Sequence, residues 1–283
     1  LELSAALALS ACATVPAPVA PVAPANPPAT MQWLYGSGEA GALSIQAYHA
    51  MRDHVVATAR RRPANSVVLA EGSTLQNPRF EPCGDKPLAV VLDVDETALL
   101  NLGYEYDEAV TGRSYDEEIW NRWERTGADA VASVPGAVTA FRDIREAEVK
   151  VLFNTNRLAE NATFTEIAVN QVGLGPARHR DPLFLKGDTP GGSAKDGRRA
   201  LIAERYCVIA MAGDQLGDFS DLFNARSVCV PDRRPHATCG TFASMWGNGW
   251  FLLPNPVYGP GVRGSFDEVF PADRRWSDPA GEE

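Results

Sequence analysis

Apolar positions along the chain fall into short continuous runs separated by stretches of helical spacing. Leu88–Leu92, Val149–Phe153 and Tyr206–Met211 are unbroken apolar or nearly apolar runs, and Pro182–Leu185 is a weaker one. Runs of this length suit strands buried on both faces of a sheet. Between them, Gly136–Ala147, Ala159–Val172 and Ala194–Glu204 carry apolar residues at helical intervals. Upstream, Ala42–Arg62 places Leu43, Ala47, Met51 and Val55 on one side of a helix that Pro63 ends. Strands alternating with helices predict an α/β fold, a doubly wound parallel sheet with helices on both faces. The stretch Leu102–Ser133 interrupts the alternation directly after the first strand and is polar and aromatic, with Tyr104, Tyr106, Tyr115, Trp120 and Trp123. An insertion there overhangs the carboxyl ends of the strands, where such sheets bind ligands, so it reads as a mainly helical cap.

The first residues follow another pattern. Leu1–Ala11 is apolar apart from Glu2 and ends in small residues before Cys12, and the stretch from Ala13 to Thr30 consists almost wholly of Ala, Pro and Val without charge. This reads as the remnant of a secretory signal and a bacterial lipobox (1–12), with lipid on Cys12, then a Pro/Ala-rich tether (13–30). The expected organisation continues with a catalytic domain over 31–270, its cap built from 31–80 and 102–133, and a polar tail over 271–283. Lipidation implies a protein anchored to a bacterial membrane, on its periplasmic or surface face. No run of 18 apolar residues exists, so no membrane-spanning helix is expected. In an exported chain Cys83, Cys207, Cys229 and Cys239 can form disulfides. Cys229 and Cys239 flank one loop and are candidates to close it, whereas Cys207, inside an apolar run, reads as a buried core thiol.

The formal charge is -10 over 283 residues, which argues against a protein that coats a nucleic acid polymer but leaves room for a small anionic substrate in a locally positive site. Each apolar run opens directly into polar residues. The first leads to Asp93-Val-Asp95-Glu96-Thr97, the second to Asn154-Thr155-Asn156-Arg157, and the third to Gly213-Asp214-Gln215-Leu216-Gly217-Asp218, while a helix start supplies Lys195. In a parallel sheet these groups converge on one edge. They suit phosphoryl transfer. A carboxylate can attack phosphorus, a second can move the proton of the leaving oxygen, further carboxylates can hold a divalent cation, and a hydroxyl and a lysine can neutralise the phosphoryl oxygens. Lys186, at a strand end, is a rival to Lys195.

These segments resemble the four motifs of the haloacid dehalogenase superfamily, in its order, from Leu88 to Asp218. A narrower resemblance, to the class C acid phosphatases or bacterial outer-membrane lipoprotein 5′-nucleotidases, is carried by Asp93–Thr97, Tyr104, Trp120-x-x-Trp123, Asn156-Arg157 and Leu253-Pro-Asn-Pro-Val-Tyr258-Gly259. The resemblance implies Asp93 as nucleophile and Asp95 as general acid and base. It implies Mg²⁺ held by Asp93, the backbone carbonyl of Asp95, and Asp214, with Asp218 supporting from behind. Thr155, Asn156 and Lys195 would hold the phosphoryl group; Trp120, Tyr258 and Tyr104 would meet the rest of a small phosphomonoester, a nucleoside 5′-monophosphate above all. The chain departs from the family in reading Leu100-Asn101-Leu102 where an Asp-Asn-Ser is usual, and in carrying Gln215 where Asn is common. The alternative functions are a broad acid phosphatase of the same chemistry and a ligand-binding surface lipoprotein with vestigial catalysis.

Overall fold

The computed structural model describes residues 25–278; Cys12 and most of the Pro/Ala-rich segment lie outside them. At the centre is a five-stranded parallel sheet. In chain order the strands of the molecule are β1 (Asn65–Leu69), β2 (Phe80–Pro82), β3 (Leu88–Leu92), β4 (Leu99–Leu100), β5 (Ala132–Ser133), β6 (Lys150–Leu158), β7 (Leu183–Lys186), β8 (Cys207–Gly213) and β9 (Trp250–Leu252). The central sheet runs β7-β6-β3-β8-β9. From β3 the chain builds outward through β6 to β7, then crosses back to place β8 on the other side of β3. The crevice at the carboxyl end of β3 is therefore the switch point at which such sheets bind ligands.

The helices are α1 (Ala29–Gly36), α2 (Gly38–Ala59), α3 (Leu102–Thr111), α4 (Glu117–Thr126), α5 (Ala137–Glu146), α6 (Ala162–Gln171) and α7 (Asp196–Arg205), with shorter turns towards the C-terminus. Side chains alternate across β3. Val90 and Leu92 join a core formed with α2, α5 and α6, while Ala89 and Val91 join a second core with Ile202 and Ala203 of α7, Phe219, Phe223 and Trp250. Ser37 caps α2 by accepting a hydrogen bond from the Ala40 amide. The buried face of α2 is Ala40, Ser44, Tyr48, Met51 and Val55. This corrects the expected face, because Leu43 is 45% exposed. Tyr48 takes the inward position since its hydroxyl has a buried acceptor, the Thr97 carbonyl.

The insertion between β3 and α5 consists of α3, α4, a short helical turn and the β4–β5 ladder that closes its base. Gly112 ends α3 in a left-handed conformation, and Asp116 caps α4 through the Glu118 and Ile119 amides. The β1–β2 hairpin is tied to the sheet by hydrogen bonds from Ser66 Oγ to the Val208 carbonyl and from Trp250 Nε1 to the Val67 carbonyl.

The cysteines differ from expectation. Cys207 is disulfide-bonded to Cys83, 124 residues away, and is not a free core thiol. Leu88 is the partner of Cys207 in the β3–β8 ladder, and the tight turn after Cys83 brings that residue to the same point. Cys229 and Cys239 are free and exposed. They do not close a loop, because helix Val230–Thr238 holds them apart. Among the described residues no helix is long and apolar enough to cross a membrane.

Candidate active site

The carboxyl ends of β3, β6 and β8 and the start of α7 deliver their polar residues to one cavity of about 540 Å³. Asp93 extends β3 by one rung, its amide donating to the Ala212 carbonyl. Its side chain is 11% exposed, and Oδ1 lies 2.6 Å from Lys195 Nζ. Lys195 stands just before α7, where its own amide and that of Asp196 donate to Asp221. Its ammonium also contacts Asp218 Oδ1 at 2.6 Å, so it bridges the two carboxylates. Burial opposes charge on Lys195, but Asp218 and Asp93 outweigh it and raise its pKa.

Asp214 directly follows β8 and is held by Thr97 Oγ1 at 3.1 Å, Gln215 Nε2 at 2.9 Å and Asn255 Nδ2 at 2.7 Å. Asp218 accepts the Gln215 amide at 2.9 Å. Gly213 permits this close approach, because a Cβ there would lie 2.2 Å from the Asp218 Cβ. Gln215, one of the departures from the family pattern, also donates to the Tyr258 carbonyl at 3.2 Å. It thereby ties the Asp214 site to the loop that carries Tyr258.

Asp93, Asp214 and Asp218 each offer a carboxylate oxygen, and the three atoms lie within 4.8 Å of one another. Burial pushes the Asp93 carboxyl well above the usual range against the pull of Lys195, with Asp218, Asp214 and Asp95 adding to the rise. Burial and Asp218 push Asp214 up to about 7 despite its hydrogen bonds from Asn255 and Gln215. Ionised together, these carboxylates would outnumber the one ammonium, and a buried excess of negative charge calls for a further cation. Asp93 Oδ1 is also buried without a well-directed hydrogen bond. Hard oxygen donors in this state fit a divalent cation such as those that carboxylates bind.

The Asp95 carboxylate turns to the other side. Arg157 reaches Oδ1 with both Nε and Nη2 at 2.9 Å, Asn101 Nδ2 donates to it at 3.0 Å, and Thr155 Oγ1 donates to Oδ2 at 3.3 Å. Thr155 is buried and also accepts the Arg157 amide. Asn156 faces the cavity, with its Oδ1 taken by Arg198 Nη2 at 2.6 Å. Lys186, the rival lysine, pairs with Glu117 at 2.9 Å at the cavity edge.

Trp120, Tyr104 and Tyr258 line the same cavity. Tyr104 meets Trp120 edge-on at 4.8 Å, Glu124 fixes the Trp120 indole nitrogen at 2.7 Å, and the Arg157 guanidinium lies 5.8 Å from the Trp120 ring centre. The Tyr258 hydroxyl donates to Glu96.

Sequence reasoning left out the residues that organise this wall. Glu96 accepts from Tyr258, from Tyr35 and from both the backbone and side chain of Asn101. Burial and Asp95 push it up to about 7, against the hydrogen bonds from Tyr258 and Asn101. Asn101 Oδ1 accepts from Arg157 at 2.7 Å and from Trp123 at 3.2 Å. The available signal was proximity, since Glu96 adjoins Asp95 and Asn101 closes the same turn.

A family model described as HAD superfamily, subfamily IIIB (Acid phosphatase) matches residues 42–261. Among solved structures, the class C acid phosphatase from Bacillus anthracis is similar, with 24% identity, a TM-score of 0.66, and coverage of 82% of this chain and 84% of that one. The same enzyme with tungstate bound superposes with a TM-score of 0.65 at 24% identity, covering 82% of this chain and 84% of that one. Likeness at this identity establishes the shared fold.

Proposed function

The chain belongs to the HAD superfamily acid phosphatases of subfamily IIIB, and from that premise we propose a Mg²⁺-dependent hydrolysis of nucleoside 5′-monophosphates through an aspartyl-phosphate on Asp93. The observation that carries this reading is the Asp93 carboxylate, fixed at the switch point of the sheet between Lys195 and the wall of an aromatic cavity. An Asp93 oxygen attacks phosphorus in line, and the bond to the ester oxygen breaks as Asp95 delivers a proton to that oxygen. The alcohol leaves. Asp95, now ionised, takes a proton from a water molecule that attacks the phosphoryl group, and inorganic phosphate departs with Asp93 restored.

Lys195 neutralises the phosphoryl oxygens, with Asn156 as a neighbouring donor. Thr155 acts here mainly by holding Asp95, which its hydroxyl contacts. Asp93, Asp214 and the Asp95 backbone carbonyl would hold Mg²⁺, with Asp218 behind Lys195, and the ion when bound supplies positive charge beside the transferred group. The tungstate in the similar solved structure agrees with a site built for tetrahedral oxyanions. Trp120 and Tyr258 supply aromatic faces for a base. Export fits the buried Cys83–Cys207 disulfide, which an oxidising compartment favours, and a lipid on Cys12 would anchor the protein at the outer membrane.

The test is a substrate panel with and without chelator. Nucleoside 5′-monophosphates should be hydrolysed with higher kcat/KM than glycerol phosphate, and chelation should stop both until Mg²⁺ is restored. Asp93→Asn should lower kcat by roughly a thousandfold or more, an amide being a very poor nucleophile, and no phosphate should be trapped on residue 93. Turnover unaffected by Asp93→Asn would remove the covalent route. Equal rates on nucleotide and glycerol phosphate would leave a broad phosphatase.

A further inference from the structure

One buried acid in the cavity wall has no place in this chemistry. Glu105, on the first turn of α3, is 3% exposed, and its Oε2 is buried without a hydrogen-bond partner. It lines the same cavity as Asp93, Asp95, Trp120 and Tyr258. One turn on, Glu108 also lines the cavity and has a buried Oε1 without a partner, although the Tyr104 hydroxyl bonds to this residue. Two buried acids that stand behind the wall, by contrast, are supplied with donors. Glu96 has Tyr258, Tyr35 and Asn101; Glu124 has Trp120, Asn161 and the Leu158 amide. Leaving a buried carboxyl oxygen unpaired is costly, and an apolar side chain would fill this helix position without that cost. An unpaired acceptor that faces a substrate cavity is instead a group whose partner arrives with the substrate.

We propose that Glu105 is a specificity-determining residue that pairs with a hydroxyl or amino group on the leaving group. The preferred substrates are then phosphomonoesters of polar, donor-bearing alcohols, such as sugars and nucleosides, over esters of bare aromatic alcohols. This rests on the phosphomonoesterase reading of the site but not on a preference for nucleotides. Glu105 neither attacks phosphorus nor moves the ester proton. It selects, because a site built around a polar partner rejects an analogue that lacks it.

The experiment compares ribose 5-phosphate, which carries hydroxyls and no base, with phenyl phosphate, which carries no donor on its leaving group. A nucleoside 5′-monophosphate is the third substrate, and Mg²⁺ is present throughout. The measured quantity is the ratio of kcat/KM for ribose 5-phosphate to that for phenyl phosphate. In E105L this ratio should fall about tenfold, the loss of one hydrogen bond to a buried group, with the change carried mainly in KM. E105Q retains an acceptor and a donor of the same shape, and its ratio should stay within about threefold of wild type. Thermal denaturation of each variant shows whether it is folded, and E105A provides the smaller truncation where Leu overfills the site. An unchanged ratio in the folded truncation, or a ratio lost equally in E105Q, overturns the assignment. Wild type that treats nucleotide and ribose 5-phosphate alike refutes the nucleotide preference while leaving the Glu105 contrast in place.

Discussion

At the scale of residues, the site separates two neighbouring carboxylates by what surrounds them. Asp93 faces Lys195 and the acid cluster, while Asp95 is gripped by Arg157, Asn101 and Thr155. In the proposed mechanism the second group must be aimed at the leaving oxygen, and Arg157 does most of that aiming. Arg157→Met should therefore lower kcat/KM on alkyl phosphates by roughly tenfold to a hundredfold, a range typical of a misplaced acid–base group. It should affect p-nitrophenyl phosphate much less, because a good leaving group needs little proton donation. Equal losses on both esters would mean that Arg157 only supports packing. The candidate acids Asp93, Asp95 and Asp214 were legible in the sequence because they stand within a few residues of the ends of apolar runs. Glu96 and Asn101 were not, since their roles depend on partners such as Tyr35, Trp123 and Tyr258 that only folding brings near, and Glu105 was not, since only the folded chain buries its carboxyl in the cavity wall.

At the scale of elements, the strands of the central sheet that carry the site were readable because they are apolar on both faces. β3 spans the residues expected, and β6, β7 and β8 begin within one residue of the expected starts. β9, only Trp250–Leu252, and the two-residue β4 and β5 lie below the length at which periodicity has meaning. The face of α2 was misjudged by one position because Ser44 and Tyr48 count as polar in a pattern, although both are buried with acceptors of their own. The element pair that should govern substrate choice is α4 with the loop after β9, which bring Trp120 and Tyr258 to the cavity. Stacking on one aromatic face contributes roughly 1–3 kcal/mol per base. Tyr258→Ala and Trp120→Ala should each lower kcat/KM for a nucleotide about tenfold to a hundredfold, with a much smaller effect on glycerol phosphate. A parallel fall on both substrates would assign these rings to packing alone.

At the scale of the whole molecule, buried acids set how stability responds to pH. Burial first, then neighbouring acids, push Glu96 and Asp214 up to about 7 and Glu105 up to about 8. Their pKa values are higher in the folded state than in the unfolded chain. Their contribution is therefore fully present below the unfolded values of 4.5 for Glu96 and Glu105 and 3.8 for Asp214, and is lost as pH rises through the folded ones. Metal-free protein should accordingly show a Tm that falls as pH is raised from about 5 to about 8, each kcal/mol lost being worth a few degrees in a chain of this size. Mg²⁺ should reduce the fall, because a cation beside Asp214 favours the ionised form. Calorimetry in chelator across that range checks the sign, and a rising Tm would contradict it.

The bond between Cys83 and Cys207 makes a closed covalent ring of the chain between them. Asp93, Asp95, Thr155, Asn156, Lys195 and the whole of α3 and α4 belong to the ring, whereas Asp214, Asp218 and Tyr258 lie on the strand of chain that leaves it. The segment joining α3 to α4, Gly112–Asp116, is exposed and lies on the ring. A protease that severs it opens the ring without separating its products. The nicked protein should migrate as one piece on a denaturing gel until a reductant is added, and as two pieces afterwards. Two pieces without reductant would mean that the ring is not closed.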